Sequence, residues 1–156
     1  MRSVAGAALI LLSAAAIAAE SGPDAGRRVY QAQCASCHGG RGEGAPNWQE
    51  PDKHGEMPAP PHDRNGHTWK HADGMLYRIV EDGWRDSFNK TQRLTMPPFG
   101  QTLTPGEIRA VIDYLKTLWK PEQRRFQDEE SRREPYPPEA QRAPGPVPIQ
   151  PQDKEQ

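Results

Sequence analysis

The chain has 156 residues, with 20 Lys and Arg against 21 Asp and Glu, and its formal net charge is -1. This balance gives no indication of the strongly basic face that nucleic-acid binding requires. Only 34% of the residues are hydrophobic, and that share includes an apolar N-terminal run, so the remainder of the chain can build only a small core.

Residues 1–19 predict a secretory signal peptide. The segment MRSVAGAALILLSAAAIAAE has Arg2 as its only charge before Glu20, then an apolar run, then small residues suited to cleavage at Ala18 or Ala19. The alternative is an uncleaved anchor, because the apolar run is close to the length that spans a bilayer. In either case we expect the rest of the chain to be exported.

The next predicted element is a helix that begins near Asp24 and runs through AGRRVYQAQC into the only two cysteines, Cys34 and Cys37, with His38 directly after them. Two cysteines at this spacing serve as a redox dithiol, as half of a zinc site, or as the attachment points of a haem. No strand run of Val, Ile or aromatic residues flanks the motif, which disfavours a thioredoxin-like dithiol.

A zinc site would need two further ligands, and the chain has no second cysteine pair. Four other histidines keep a mixed Cys/His site formally open: His54, His62, His67 and His71. C-x-x-C-H is the signature of covalent c-type haem attachment, in which both thiols add to the porphyrin vinyl groups. The adjacent imidazole, here His38, becomes an axial ligand of the iron.

Two more helices are predicted downstream. In DGMLYRIVEDG, apolar residues share one face and Gly83 is a candidate C-cap. In LTPGEIRAVIDYLKTLW, Thr104 is the predicted N-cap, Pro105 the first helical residue and Glu107 the partner in a capping box. The apolar stripe of this last helix consists of Ile108, Val111, Ile112, Leu115, Leu118 and Trp119. The intervening segments show no strand pattern, so the predicted fold is all-α, with short helices and long loops around one haem.

The composition changes after Lys120. Residues 121–156 are dense in Pro, Glu, Gln and Arg and nearly free of aliphatic residues, so they cannot bury enough apolar surface to offset the entropy lost on ordering. We predict a disordered tail with at most one or two helical turns within residues 122–133. Such a tail would be a solvated extension, or a tether or docking arm.

From residue 20 to residue 120 the sequence resembles the class I monohaem cytochromes c. Gly26 and Tyr30 match the G-x-x-x-aromatic pattern of that family's N-terminal helix, which leads into CxxCH and crosses the C-terminal helix. In AVIDYLK, the residues Val111, Tyr114 and Leu115 match the C-terminal helix. Glycine at the crossing permits a close approach of the two backbones.

The resemblance also implies two further site residues. In APPHD, Pro60 matches the proline whose carbonyl accepts a hydrogen bond from the proximal imidazole, and in TMPPFG, Met96 matches the methionine that is the sixth ligand of the iron. His62 departs from the family, which commonly has leucine there. Met57, which also precedes a proline, and His71 are the rival sixth ligands.

Under this resemblance the chain is a periplasmic electron carrier with one covalent haem c, six-coordinate through His38 and Met96, that exchanges electrons with other redox proteins. It would meet a membrane only through an uncleaved leader. The alternatives are an electron-entry subunit of a larger oxidoreductase or oxidase, and a haem enzyme or gas sensor with a labile sixth site. The loop histidines with Met57 are an alternative copper site.

Overall fold

The computed structural model describes residues 23–142 except 88 and 92, so the predicted leader and residues 143–156 lie outside the described part. Its α-helices are α1 Pro23–Val29, α2 Ala35–His38, α3 Asp73–Asp82, α4 Pro105–Lys116, α5 Pro121–Arg133 and α6 Pro138–Arg142. A π-helical segment, Tyr30–Cys34, joins α1 to α2, and Thr68–Lys70 forms a 3₁₀ turn. Strands are absent from the described residues apart from one isolated bridge, Trp84 with Met96, so the all-α prediction is confirmed.

Helices α1 and α4 cross at Gly26. A Cβ atom on Gly26 would lie 1.9 Å from the carbonyl oxygen of Ala110, so only glycine lets the two backbones meet there. One turn later the rings of Tyr30 and Tyr114 pack with centroids 5.4 Å apart. The crossing fixes the direction in which α1 delivers the cysteine motif.

Helix α4 begins as the sequence predicts. Thr104 accepts a hydrogen bond from the Glu107 backbone N–H, and the Glu107 carboxylate accepts one from the Thr104 backbone N–H, which completes the capping box. The helix ends at Lys116, three residues earlier than its apolar stripe suggests. Trp119 is nevertheless buried, and its indole Nε1–H donates to the His62 carbonyl at 2.8 Å.

The prediction of a disordered tail is wrong for residues 121–142, because helices α5 and α6 form there. Helix α5 packs on α3 and on the 3₁₀ turn, and α6 packs on α4. Within α5, Gln127 is fully buried and donates to Asp73 Oδ1 at 2.7 Å and to Ser131 Oγ at 2.8 Å. Tyr136 and Ala140 join the hydrophobic core.

Residues 121–142 are ordered because they dock through polar and aromatic contacts, which their composition did not reveal. The segment has almost no aliphatic residues, but it docks through the buried amide of Gln127, the ring of Tyr136 and backbone hydrogen bonds such as that from Gly74 N–H to the Glu134 carbonyl at 2.9 Å. Residues 121–142 are therefore not a free docking arm. Within the described part of the chain, no helix has the length and apolarity needed to cross a bilayer.

Candidate functional site

The cysteine motif lies at the end of the first helical run. Cys34 is the last residue of the π-helical segment, while Cys37 and His38 belong to α2. Two residues three apart on a helix lie on the same face, so both thiols point to one side. Single π-helical turns within α-helices are frequent at functional sites. The two cysteines are not joined in a disulfide.

His38 is buried and is oriented by the loop that follows the motif. Its Nδ1–H donates to the Pro60 carbonyl oxygen at 2.9 Å, the contact that the resemblance implied. A carbonyl oxygen can only accept, so the proton is on Nδ1 and the lone pair of Nε2 is free for a metal. Burial lowers the pKa of His38, and the hydrogen bond to Pro60 opposes this in part. The ring is thus held as a neutral imidazole, the form that binds iron.

His62 lies directly against this imidazole. The two rings are stacked, with centroids 4.0 Å apart and planes inclined by 27°. The Nδ1 atom of His62 is 2.8 Å from the hydroxyl oxygen of Thr68, which is itself buried. Burial lowers the pKa of His62 well below its usual range, and the neighbouring His38 and His67 lower it further. The sequence marked His62 as a departure from the family but did not reveal the stack.

Met96 is partly buried, and its backbone is fixed against the end of α3. Met96 N–H donates to the Trp84 carbonyl at 3.0 Å, and Trp84 N–H donates to the Met96 carbonyl at 2.9 Å. Gly83 has a φ of 79°, and a Cβ atom there would lie 2.7 Å from the Met96 carbonyl oxygen. Gly83 is thus both the predicted end of α3 and the residue that admits the Met96 loop. The second role had no signal in the sequence.

The two rival sixth ligands have different surroundings. The backbone N–H of Met57 donates to Asp86 Oδ2 at 3.3 Å, and the Asp86 N–H in turn donates to Thr95 Oγ1 at 3.4 Å, one residue before Met96. The Glu56 carboxylate, one residue before Met57, pairs with Arg93 of the second loop. The ring of His71 instead contacts His67, and its carbonyl accepts from Gln127 of α5.

His62 and His67 of the 54–71 loop stack on different rings. The ring of His67 stacks on Trp48 at 5.9 Å, whereas His62 stacks on His38. Among residues 23–142, apart from the two undescribed positions, no three His, Cys, Asp or Glu side chains come together in a way that could hold a metal ion. A zinc site built from these side chains therefore has no support in the described structure.

The donor set fits covalent haem attachment. The site offers two unpaired thiols on one helical face and one imidazole with a free Nε2. Burial raises the pKa of the Cys34 thiol to about 11, with a further contribution from Cys37. A redox-active dithiol needs the opposite shift, because the thiolate is the reactive form. The raised pKa of Cys34 therefore argues against a redox-active dithiol at this motif.

Comparison with known proteins agrees with this geometry. The family model described as Cytochrome c matches residues 23–119. The Cbb3-type cytochrome c oxidase subunit FixP of Sinorhizobium medicae is 32% identical over 98 residues, which cover 60% of this chain and 29% of that subunit. The chain thus aligns with less than a third of that relative's length. No solved structure matches the chain.

Proposed function

Because the chain belongs to the cytochrome c family, we propose that it is an exported single-haem electron carrier with His38 and Met96 as the axial ligands of the iron. As a member of this family it binds haem c covalently. Cys34 and Cys37 would supply the two thioether bonds. The observation that carries the proposal is the buried His38 ring, whose Nδ1–H is held by Pro60 and whose Nε2 is left for iron.

When bound, the haem supplies a couple that takes up or releases one electron. His38 keeps its imidazole neutral and fixed, so little rearrangement accompanies the change in iron charge. Met96 would fill the sixth position with a thioether, which raises the reduction potential. If His38 and Met96 both bind the iron, a substrate would have no open site on the metal, so we propose a carrier and not an enzyme.

The test is an optical titration of the dithionite-reduced protein with carbon monoxide, together with the ferric spectrum of three proteins. The parent should bind carbon monoxide negligibly at neutral pH and should show the weak red absorption of an iron–sulfur bond. Met96→Ala should lose that band and bind carbon monoxide. Met57→Ala is the matched control, because Met57 lies near the same loop, and it should keep both parental properties.

Three outcomes would contradict this proposal. Fast, stoichiometric carbon monoxide binding by the parent would favour a haem enzyme or sensor. Loss of the band in Met57→Ala but not in Met96→Ala would make Met57 the ligand. Failure of both the parent and Met96→Ala to bind would assign the sixth position to another residue, and His71→Ala would then be the variant to examine.

The similarity to FixP supports a second candidate, an electron-entry subunit of a larger oxidoreductase or oxidase. FixP is a subunit of a cbb3-type cytochrome c oxidase, and it is 32% identical to this chain over 98 residues. Purification from native membranes in mild detergent distinguishes the two candidates. A subunit should co-purify with a fixed partner at constant stoichiometry, whereas a carrier should elute alone and reduce several acceptors.

We also propose that the mature protein resides in the periplasm, or is anchored in the inner membrane and faces it. The support is the apolar N-terminal segment of residues 1–19 and the need of a CxxCH protein for haem attachment after export. Mass spectrometry of the exported protein should give one haem on a chain that starts near Ala19 or Glu20. A chain that retains Met1 would establish the anchored form.

A further inference from the structure

His38 is restrained in two independent ways. The hydrogen bond from Nδ1 to the Pro60 carbonyl fixes one ring atom but leaves the imidazole free to rock about that contact. The ring of His62 then covers one face of His38 at 4.0 Å, which opposes that rocking motion. Pro60 and His62 are only two residues apart, so one short segment holds both the edge and the face of the same imidazole.

His62 is itself held firmly enough to act as a restraint. Its backbone N–H donates to the Gly42 carbonyl at 2.8 Å, and its own carbonyl accepts from the Trp119 indole at 2.8 Å. Its ring is tied to the Thr68 hydroxyl at 2.8 Å. The loop behind it is tightly packed, because a Cβ on Gly66 would lie 1.9 Å from the Pro61 carbonyl oxygen. The stacked ring is therefore part of a rigid frame.

We propose that His62 is a positioning residue for the proximal ligand, which sets the plane of the His38 imidazole and favours the ferric state through ring stacking. This inference rests on the proposed function only in that His38 must bind the iron. Loss of an electron from the iron makes the bound imidazole more positive. The electron-rich face of a neutral aromatic ring attracts positive charge, so the stack stabilises the oxidised protein. An aliphatic side chain at this position would not.

The experiment compares the holoproteins of the parent, His62→Leu and His62→Phe. His62→Leu removes the ring, so the midpoint potential should rise, and the ferric electron paramagnetic resonance g-values and haem methyl shifts should change because the ligand plane is freed. His62→Phe keeps a flat ring but lacks the hydrogen bond to Thr68, so its midpoint potential should lie between those of the parent and His62→Leu. The iron–sulfur band should persist in all three, which shows that the sixth ligand is unaltered.

His67→Leu is the matched control, since it removes from the same loop an imidazole that stacks on Trp48 and not on His38. It should leave the potential and the g-values at parental values. If His62→Leu yields no holoprotein, His62→Met replaces it with a less branched side chain and the same expected shift.

An unchanged or lowered potential in a folded His62→Leu or His62→Met protein would overturn the inference, as would an equal shift in His67→Leu. A parent that binds carbon monoxide would overturn the carrier proposal alone, because the comparison at position 62 holds for any sixth ligand. If His38→Ala kept the low-spin spectrum of the parent, both the proposed ligand His38 and the proposed role of His62 would be overturned.

Discussion

Gly26→Ala should destabilise the protein at the crossing of α1 and α4. The new Cβ would lie 1.9 Å from the Ala110 carbonyl oxygen and 2.8 Å from Tyr114 Cβ, whereas side-chain carbons do not approach closer than 3.0 Å, so the helices must separate by about 1 Å. Overpacking of this kind costs up to about 3 kcal/mol, and alanine recovers about 0.5–1 kcal/mol of helix propensity, which leaves a net loss of about 2 kcal/mol.

The assay is guanidinium denaturation of the holoprotein, in which the midpoint should fall while the slope stays unchanged. Gly40→Ala is the matched control, because no atom lies within 4 Å of its new Cβ, and its free energy of unfolding should stay within about 0.5 kcal/mol of the parent. If Gly26→Ala were as stable as Gly40→Ala, close backbone contact would not be the reason for glycine at this crossing.

Two further predictions concern residues outside the haem site. Tyr136→Phe removes the hydrogen bond to Asp113 Oδ1 at 2.9 Å and should cost about 1.5 kcal/mol by the same denaturation assay; an unchanged value would mean that α6 docks without it. The hydrogen bond from Arg93, and to a smaller extent that from Thr91, holds the pKa of Glu56 below its ordinary value of 4.5. The stability that this carboxylate contributes is therefore complete above pH 4.5 and is lost as the pH falls through the lowered pKa. Arg93→Gln should raise the Glu56 pKa in a carboxyl NMR titration, and an unmoved pKa would refute the pairing.

The parts of the fold that the sequence predicted are those with strong local signals. The capping box at Thr104 and Glu107 and the glycine that ends α3 are read from residues a few positions apart, and the structure has both. The same holds for the order of helix, CxxCH motif and C-terminal helix. The contact between His38 and Pro60 spans 22 positions, and only the family resemblance implied it.

The parts that the sequence did not predict depend on contacts between distant segments. Helix α5 has few aliphatic residues, and its docking depends on Gln127 meeting Asp73, 54 residues earlier. Composition measures the apolar surface available, but it does not show whether a buried amide finds its partners. The stack of His62 on His38 was missed for a similar reason, because an isolated histidine in a loop is commonly exposed.

The two proposed iron ligands are restrained by different means. This difference decides which substitutions should shift the reduction potential and which should remove the sixth ligand. On the His38 side the restraints come from the side chains of His62 and Thr68, besides the carbonyl of Pro60. Exchanging a side chain there should alter the plane and charge of the proposed ligand and should leave the sixth ligand in place. On the Met96 side the restraints are the backbone bridge to Trp84 and the space left by Gly83. A side chain at position 83 would therefore displace the whole loop, and the expected result is loss of the sixth ligand and not a graded change in potential.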